Sequence, residues 1–425
     1  MSLQKNNGIK KILSFSLIPI LLFLTVSCAK TSGSLVIWTD NAELASYAEL
    51  FNATQTDIRA VVLYKENPYG TLPPAKDEKK PDLIIGASNR DNKACQYLLP
   101  LDYLFQEQNL SKSDFYAPLT DMGFSGDKQY MLPISFNMPA VVFSTDSAPL
   151  IPDPYSLSLD EIRDTAASFN IQNDSGVYTQ MGFAPVWDSE FLYTAAKLKG
   201  ISFQDYKGSV IWDKLALNAT VNYLKNWTAD CNTSTTAEQD YQFKYLNIPN
   251  LKWITQGDSL FTYTTSNELF KKAPEKLQSL DYRWLQQDEK TPVEDVVVFI
   301  GLYKDSHKKR EGEAFILWLL NTDNQKKILE WTSDLNLISD SFGICGGFSS
   351  LKPVNEQVFP IFYPMLLGNL PQESELTIPN ALPDKWNSIK EQVILPYLIE
   401  ATDTTTEGNP QSLEDRLTAW NKQYF

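Results

Sequence analysis

The sequence predicts an α/β protein with two domains, and three observations support this prediction. The chain has 425 residues with 43% hydrophobic content, which is more than one ordinary core accommodates. Its first part shows the order strand, helix, strand, strand, which favours a largely parallel sheet flanked by helices. Residues 129–146 contain an apolar, β-branched strand, Pro139–Ser144, followed by a proline-rich stretch. A buried strand that ends in such a break is typical of a crossing between two compact units.

The first 28 residues have the pattern of an export signal rather than of a folded domain. Three lysines precede an apolar run at 12–26, which is shorter than the ~20 residues of a membrane span. The run ends in Thr25-Val-Ser-Cys28, which resembles the lipobox of bacterial lipoproteins, although the usual motif has Leu where Thr25 stands. The resemblance implies a signal peptide at 1–27, a lipidated Cys28 and a tether at 28–34. The alternative is an ordinary secretory signal with a chance cysteine.

The composition of the chain argues against several classes of function. A net charge of −15 repels nucleic acid and anionic headgroups, so neither is an expected ligand of the folded part. The only histidine, His307, lies between charged and polar neighbours, and the cysteines Cys95, Cys231 and Cys345 are far apart in sequence. We therefore expect no metal site, no cofactor and no histidine-dependent catalysis. The three cysteines allow at most one disulfide, and burial as small hydrophobic residues is the simpler interpretation.

Polar side chains directly follow two strands of the first predicted domain. The strands are expected at 35–38, 58–64 and 82–86, with an amphipathic helix at 43–52. Ligands of such sheets lie beyond the carboxyl ends of the strands. We therefore expect these residues to lie near one another: Trp38, Asp40, Asn41, Ser88 and Asn89.

The second predicted domain alternates helices with short strands. Helices are expected at 158–168, 191–198, 215–227 and 239–253, and strands at 259–266 and 280–286. The first helix begins with Ser158 and Glu161 at the spacing of a capping box. A β-branched run at 293–302 fits a strand that returns to the first domain, and a glycine-rich bend at 343–347 fits a last crossing.

Several short motifs, taken in order, resemble one protein family. They are Leu-Val-Ile-Trp-Thr-Asp at 35–40, Pro-Asp-Leu-Ile-Ile at 81–85, Leu-Leu-Pro-Leu-Asp at 98–102, the segment 130–143, and the helix pair at 311–331. Together they resemble the family 1 extracellular solute-binding proteins, the substrate receptors of carbohydrate ABC importers. The resemblance covers most of the mature chain.

The resemblance implies a two-lobe periplasmic-binding-protein fold of the type II kind. Each lobe would be a mixed, mostly parallel sheet flanked by helices, with the ligand cleft between the lobes. We expect the N-terminal lobe at 35–144 and 293–342, and the C-terminal lobe at 145–292 and 343–425. The first hinge is expected near 144–146.

The expected site combines groups that suit a sugar. Carboxylates and amides satisfy hydroxyl groups, and aromatic rings cover the apolar C–H faces. The candidate residues are Trp38, Asp40, Asn41, Glu43, Ser88, Asn89, Asn137, Trp187, Asp188, Tyr263, Trp284 and Phe348. For each aromatic residue the alternative is core packing; Asn137 could instead stabilise a turn, and Asp40 could also cap the following helix.

The resemblance also implies a function. The chain is expected to be an exported, lipid-anchored, monomeric receptor without enzymatic activity, bound to a bacterial membrane through acylated Cys28. It would bind a sugar or oligosaccharide and deliver it to the permease subunits of an ABC importer. The alternatives are the same fold with a polyamine or iron as the solute, or a surface lipoprotein that acts as an adhesin or a glycan-active enzyme.

Overall fold

The computed structural model describes residues 33–88, 92–106, 109–335, 341–406, 408 and 410–424. The predicted signal peptide, Cys28 and Asn89 lie outside these residues. The described residues from Ser34 onward form one compact unit. None of the helices in the described part of the chain has both the length and the apolar character that a membrane crossing requires.

The strands of the described chain have the following bounds. They are β1 (Leu35–Thr39), β2 (Ala60–Tyr64), β3 (Leu83–Ala87), β4 (Phe124–Ser125), β5 (Lys128–Gln129), β6 (Leu132–Phe136), β7 (Pro139–Ser144), β8 (Ser156–Leu157), β9 (Ile171–Gln172), β10 (Tyr178–Gln180), β11 (Gln204–Tyr206), β12 (Ser209–Ile211), β13 (Thr262–Thr265), β14 (Leu280–Leu285), β15 (Thr291–Pro292), β16 (Val298–Leu302), β17 (Phe348–Ser349) and β18 (Leu376–Thr377).

The helices are α1 (Leu44–Thr54), α2 (Asn92–Cys95), α3 (Tyr103–Gln106), α4 (Ala117–Asp121), α5 (Leu159–Phe169), α6 (Ser189–Leu198), α7 (Lys214–Cys231), α8 (Thr235–Lys244), α9 (Asn250–Gln256), α10 (Ser266–Phe270), α11 (Pro274–Leu277), α12 (Lys309–Leu319), α13 (Thr322–Asp334), α14 (Lys352–Gln357), α15 (Phe359–Phe362), α16 (Trp386–Ile389), α17 (Leu395–Thr402) and α18 (Leu413–Tyr424). The predicted capping box of α5 is present in both directions. The single helix expected at 239–253 is instead α8 and α9, because Pro249 precedes α9 and cannot continue a helix.

The first lobe is built on a six-stranded sheet with the order β17-β6-β16-β3-β1-β2. β1 runs parallel to β2 and β3, as the sequence predicts. β16 is antiparallel to β3 and β6, and β17 is antiparallel to β6. The sheet is therefore mixed, and the expected parallel pairing holds only at β1, β2 and β3. The other strands enter after long excursions through the rest of the chain, which do not impose the parallel direction of a βαβ unit.

The second lobe is built on a four-stranded sheet with the order β13-β7-β14-β8. β7 is antiparallel to both of its neighbours, and only β14 and β8 run parallel. All six residues of β7 are buried, as predicted for the crossing strand. Because β6 belongs to the first sheet and β7 to the second, the chain crosses at Asn137 and Met138. This is earlier in the chain than the hinge expected near 144–146.

The tail of the chain divides between the two lobes. β17 pairs with β6, and buried residues from Phe342 to Leu376 belong to the core of the first sheet. Buried residues from Leu382 to Trp420 belong to the core of the second sheet. β15 and β18 pair in parallel where the second and third crossings run side by side. We propose that the segment 343–376 belongs to the first lobe, rather than to the C-terminal lobe as expected from the sequence.

An aromatic layer joins the two sheets. Phe270 and Trp284 lie on the side of the second sheet, and Phe342 and Phe348 on the side of the first. The ring centroids of Phe270 and Phe342 are 5.1 Å apart, and those of Trp284 and Phe348 are 5.8 Å apart. Aromatic pairs at these distances add to the stability gained by burial alone. Trp284 and Phe348 therefore hold the two sheets together.

Candidate functional site

A cleft of about 440 Å³ lies where β1 and β3 end and where the chain crosses between the lobes. Its walls come from both lobes and from the crossing segments. The polar residues that line it are Asp40, Asn41, Glu43, Ser135, Asn137, Thr265, Asn267, Glu294, Asp295, Ser341, Asn387 and Lys390. The structure thus brings together four of the residues selected from the sequence, namely Asp40, Asn41, Glu43 and Asn137.

The position of Asp40 is fixed by the two strands that it follows and faces. Its carboxylate Oδ2 accepts a hydrogen bond of 3.2 Å from the backbone N–H of Ala87, at the end of β3. A side chain at Gly86 would place its Cβ 2.5 Å from the Asp40 carboxylate, so this close approach requires glycine. Burial raises the pKa of Asp40 to about 6. Asp40 is therefore a cleft carboxylate whose charged form is disfavoured by burial.

Asn41 and Glu43 form the turn that leads into α1. The side-chain oxygen of Asn41 accepts the N–H of Glu43 at 2.9 Å. The carboxylate of Glu43 accepts hydrogen bonds from the hydroxyl of Tyr47, at 3.0 Å, and from the hydroxyl of Ser341. Burial raises the pKa of Glu43, although these hydroxyl groups oppose the shift. Glu43 therefore lines the cleft and also connects α1 to Ser341.

Asn137 fastens the three crossing segments to one another. Its amide nitrogen donates to the carbonyl of Gly346 at 2.8 Å, and its amide oxygen accepts from the hydroxyl of Ser266 at 2.5 Å. Its backbone carbonyl accepts the N–H of Glu294 at 2.9 Å. Asn137 lines the cleft, as predicted, but both ends of its side-chain amide are engaged within the protein. The sequence alone did not indicate this role, because the partners are distant in the chain.

Lys390 is a cation in the cleft that the sequence analysis missed. It begins a π-helical segment, Lys390–Ile394, between α16 and α17. Pro396 lacks an N–H and so disturbs the regular helical pattern next to this segment, and π-helical turns often occur at functional sites. The Lys390 ammonium lies 2.6 Å from a carboxylate oxygen of Glu190 and 4.0 Å from one of Asp295. Lys390 is therefore held by carboxylates of the protein itself.

Asp295 anchors the second crossing segment, 293–297, to the second lobe. Its carboxylate contacts the ammonium of Lys197 at 2.9 Å, and it accepts hydrogen bonds from Tyr193 at 2.7 Å and from the indole of Trp386 at 2.8 Å. Burial alone would raise the pKa of Asp295, but Lys197 and Lys390 outweigh it and hold the pKa below its usual range. Asp295 is thus a charged, fully bonded structural residue at the back of the cleft.

A second cavity, of about 1080 Å³, adjoins the cleft and shares Thr265, Glu294 and Lys390 with it. Two further predicted residues, Asp188 and Tyr263, border this cavity. Asp188 caps α6, since its carboxylate accepts the N–H of Glu190 at 2.9 Å. Tyr263 is only 8% exposed, and its hydroxyl lies 2.8 Å from that of Thr194. Tyr263 therefore borders the cavity with little of its side chain exposed.

The other aromatic residues do not provide the predicted platforms. Trp38 and Phe348 are 0% exposed, so neither ring face can contact a ligand in this conformation. The indole of Trp38 donates to the carbonyl of Lys79 at 3.2 Å. Trp284 packs in the aromatic layer and borders a separate cavity of about 760 Å³. The structure does not place these three side chains among the residues that line the cleft, since flat aromatic side chains suit cores as well as sugar sites.

Trp187 belongs to a small third core rather than to the cleft. Its ring stacks on Tyr241 with a centroid distance of 5.9 Å, and its indole donates to the carbonyl of Glu238 at 3.0 Å. Ser88 is also buried, at 4% exposure, and is not among the residues that line the cleft. The predicted ligand roles of Trp187 and Ser88 are therefore not supported by their surroundings.

Glu238, next to Trp187, makes the stability of the protein depend on pH. It is fully buried, and burial raises its pKa from 4.5 to about 8, although Asn232 donates to it at 2.7 Å. The folded state holds the proton of Glu238 more tightly than the unfolded state does. The stabilisation that comes from this proton is therefore fully present below pH 4.5 and is lost as the pH rises to about 8. Each unit of pKa difference corresponds to about 1.4 kcal/mol.

We expect Glu238→Gln to remove this dependence, because glutamine stays neutral. Chemical unfolding of the wild-type and variant proteins across this pH range should give a stability difference in favour of the variant that grows with pH. The exposed Glu49→Gln on α1 is a control that removes one charge without burial. A difference that does not change with pH would contradict the prediction.

Comparisons with known proteins establish the fold. No protein-family model matches the chain, and no curated protein sequence matches it. The chain is similar in structure to the cyclic alpha-maltosyl-1,6-maltose binding protein of Arthrobacter globiformis, with a TM-score of 0.61, 16% identity, and coverage of 92% of this chain and 97% of that one. The fold is the two-lobe fold of maltose-binding proteins.

Two other solved structures show the same fold. The sugar-binding protein MalE of Xanthomonas citri has a TM-score of 0.63 and 11% identity, covering 92% of this chain and 96% of its own. An ABC substrate-binding protein of Listeria monocytogenes in complex with cycloalternan has a TM-score of 0.57 and 15% identity, covering 92% of this chain and 98% of its own.

Within the described residues, no group of three or more His, Cys, Asp or Glu side chains is placed to hold a metal ion.

Proposed function

We propose that the chain is the substrate-binding protein of an ABC importer and that it binds a sugar or oligosaccharide in the cleft between its lobes. The observation that carries this proposal is the cleft itself, whose walls come from both lobes and from the crossings. The two-lobe fold is shared over 92% of the chain with proteins described as binding sugars or oligosaccharides. Binding between lobes allows closure around the ligand by a hinge motion.

The polar lining supplies partners for the hydroxyl groups of a sugar. Asn267 and Asn387 border the cleft, and their side-chain amides make no hydrogen bond with another described residue. An amide offers two donors and one acceptor, which suits a hydroxyl pair. Since none of the residues Trp38, Trp187, Trp284 and Phe348 lines the cleft, binding would depend on hydrogen bonds more than on aromatic stacking.

A panel of sugars tests the proposal directly. A ligand that binds only the folded state stabilises it by RT ln(1 + [L]/Kd), about 2.7 kcal/mol at a hundred times Kd. We expect at least one mono- or oligosaccharide to raise the unfolding midpoint of the purified protein in proportion to the logarithm of its concentration. If no saccharide shifts the midpoint of correctly folded protein, the proposal is wrong.

We further propose that Cys28 carries a lipid anchor, which would hold the receptor beside its permease. Replacement of Cys28 by serine is expected to move the protein from the membrane fraction to the soluble fraction, because acyl chains contribute about 0.8 kcal/mol for each buried CH₂. Cys231→Ser, on the half-buried thiol at the end of α7, is the matched control and should remain with the membrane. An unchanged distribution of the Cys28→Ser variant would show that the anchor is not there.

A further inference from the structure

The first-lobe wall of the cleft carries carboxylates without a cation. Asp40 accepts its hydrogen bond from a backbone N–H, and Glu43 accepts from two hydroxyl groups. Neither forms an ion pair with any residue in the described ranges. Their negative charge is therefore stabilised only by neutral donors in a partly buried site.

Glu294 adds a third carboxylate to the lining of the cleft. It lies in the second crossing and borders both the cleft and the adjoining cavity. Its side chain makes no hydrogen bond or ion pair with another residue that the structure describes. Burial raises its pKa, which shows that its surroundings disfavour the charged form, although Lys197 and Lys390 oppose the shift.

The lysines near Glu294 are already committed to other groups. Lys197 contacts Asp295 and donates to the carbonyl of Val293 at 2.8 Å. Lys390 contacts Glu190 at 2.6 Å. The cleft therefore has an excess of carboxylate over ammonium groups, on walls that would be separated from water when a ligand fills it.

A neutral sugar would leave these carboxyl groups without a cation, so burial would continue to disfavour their charged forms. It would bring hydroxyl groups to the carboxylates but no positive charge, and it would find no exposed aromatic face among the residues that line the cleft. A ligand with ammonium groups supplies both three donors for each nitrogen and the missing charge. The chemistry of the cleft thus favours a ligand that is polyhydroxylated and cationic.

We infer that the cleft selects an oligosaccharide that carries protonated amino groups. The inference rests on the proposed function and names the class of its ligand. The three carboxylates of Asp40, Glu43 and Glu294 would lie against the ammonium groups, and Asn267 and Asn387 against the hydroxyl groups.

The experiment compares a cationic trisaccharide with two neutral trisaccharides. Calorimetric titrations of the purified protein, buffered just below neutral pH, would use chitosan trisaccharide, its N-acetylated counterpart and maltotriose. The amino trisaccharide is expected to bind roughly ten-fold more tightly than either neutral sugar, or better. Its affinity should fall as salt is added, because charge attraction is screened, whereas the affinity of a neutral sugar should not.

Variants that remove a carboxylate charge show which residues cause the preference for the amino sugar. Glu294→Gln and Asp40→Asn should each reduce the preference for the amino sugar, while the exposed control Glu49→Gln should keep it. If Glu294→Gln does not fold, the Asp40→Asn variant and the salt dependence of the wild-type protein decide the matter. The inference is supported if the wild-type protein binds the amino trisaccharide tightly, if added salt weakens this binding, and if the two variants lose the preference.

Other outcomes overturn it in distinguishable ways. If neutral and amino sugars bind equally well, or only neutral sugars bind, the inference is wrong and the proposed function stands. If no saccharide of either kind binds, both are wrong. Binding of spermidine without binding of any saccharide also overturns both, since the ligand would then be a polyamine.

Discussion

Replacement of Asp295 by alanine should lower the free energy of unfolding by about 3–5 kcal/mol, measured by urea denaturation. The Asp295 carboxylate is 6% exposed and binds Lys197, Tyr193 and Trp386. Removal of one partner of a buried ion pair leaves the other charge without compensation, which is far more costly than the loss of a surface pair. Lys390 would also lose its second carboxylate.

The isosteric variant Asp295→Asn separates charge from packing. Because Lys197 and Lys390 hold the pKa of Asp295 below 3.8, the stability it contributes is present above pH 3.8 and is lost as the pH falls through the folded-state pKa. The penalty of Asp295→Asn relative to wild type should therefore shrink when unfolding is measured at increasingly acidic pH. A penalty of constant size from neutral to acidic pH would show that the charge of Asp295 does not stabilise the fold.

Replacement of Asn137 by alanine should lower the free energy of unfolding by about 2–4 kcal/mol, since two buried or partly buried partners lose a hydrogen bond. These partners are the carbonyl of Gly346 and the hydroxyl of Ser266. The variant should also bind ligand more weakly, because the three crossing segments lose the side chain that joins them. Urea unfolding and calorimetry on the same preparation measure the two effects.

Asn267→Ala is the matched control for Asn137→Ala. Asn267 also borders the cleft, but its side chain makes no hydrogen bond within the described part of the protein. Its removal should leave the unfolding free energy nearly unchanged. If the two asparagine variants have the same stability, Asn137 does not fasten the crossings.

Much of the fold follows from local patterns in the sequence. The strands β1, β2 and β3, the helix α1 and the capping box of α5 were predicted because each depends on residues close together in the chain. The antiparallel entry of β16 and the pairing of β17 with β6 were not, because they depend on contacts between distant segments. The same limit explains why the chain passes between the sheets earlier than the expected hinge: a continuous buried run does not show where one sheet ends and the next begins.

The candidate site was predicted in part, for a similar reason. Asp40 and Asn41 were expected at the cleft because polar residues after a parallel strand lie at one edge of the sheet, and the structure places both of them there. The aromatic platforms were not found, since Trp38 and Trp284 fill cores with the same side chains that could bind a sugar. Lys390 and Asn267 carry no local signal, and only the folded chain places them in the cleft.

The most direct test of the account is a calorimetric titration with the saccharide that best stabilises the protein, carried out on the wild type and on two asparagine variants. Asn267→Ala removes an amide in the cleft, and Asn369→Ala removes one at the separate cavity beside Trp284. We predict that Asn267→Ala weakens binding by roughly ten-fold or more, with unchanged stability, and that Asn369→Ala binds as the wild type does. Unchanged affinity in Asn267→Ala together with lost affinity in Asn369→Ala would contradict the assignment of the ligand to the cleft between the lobes.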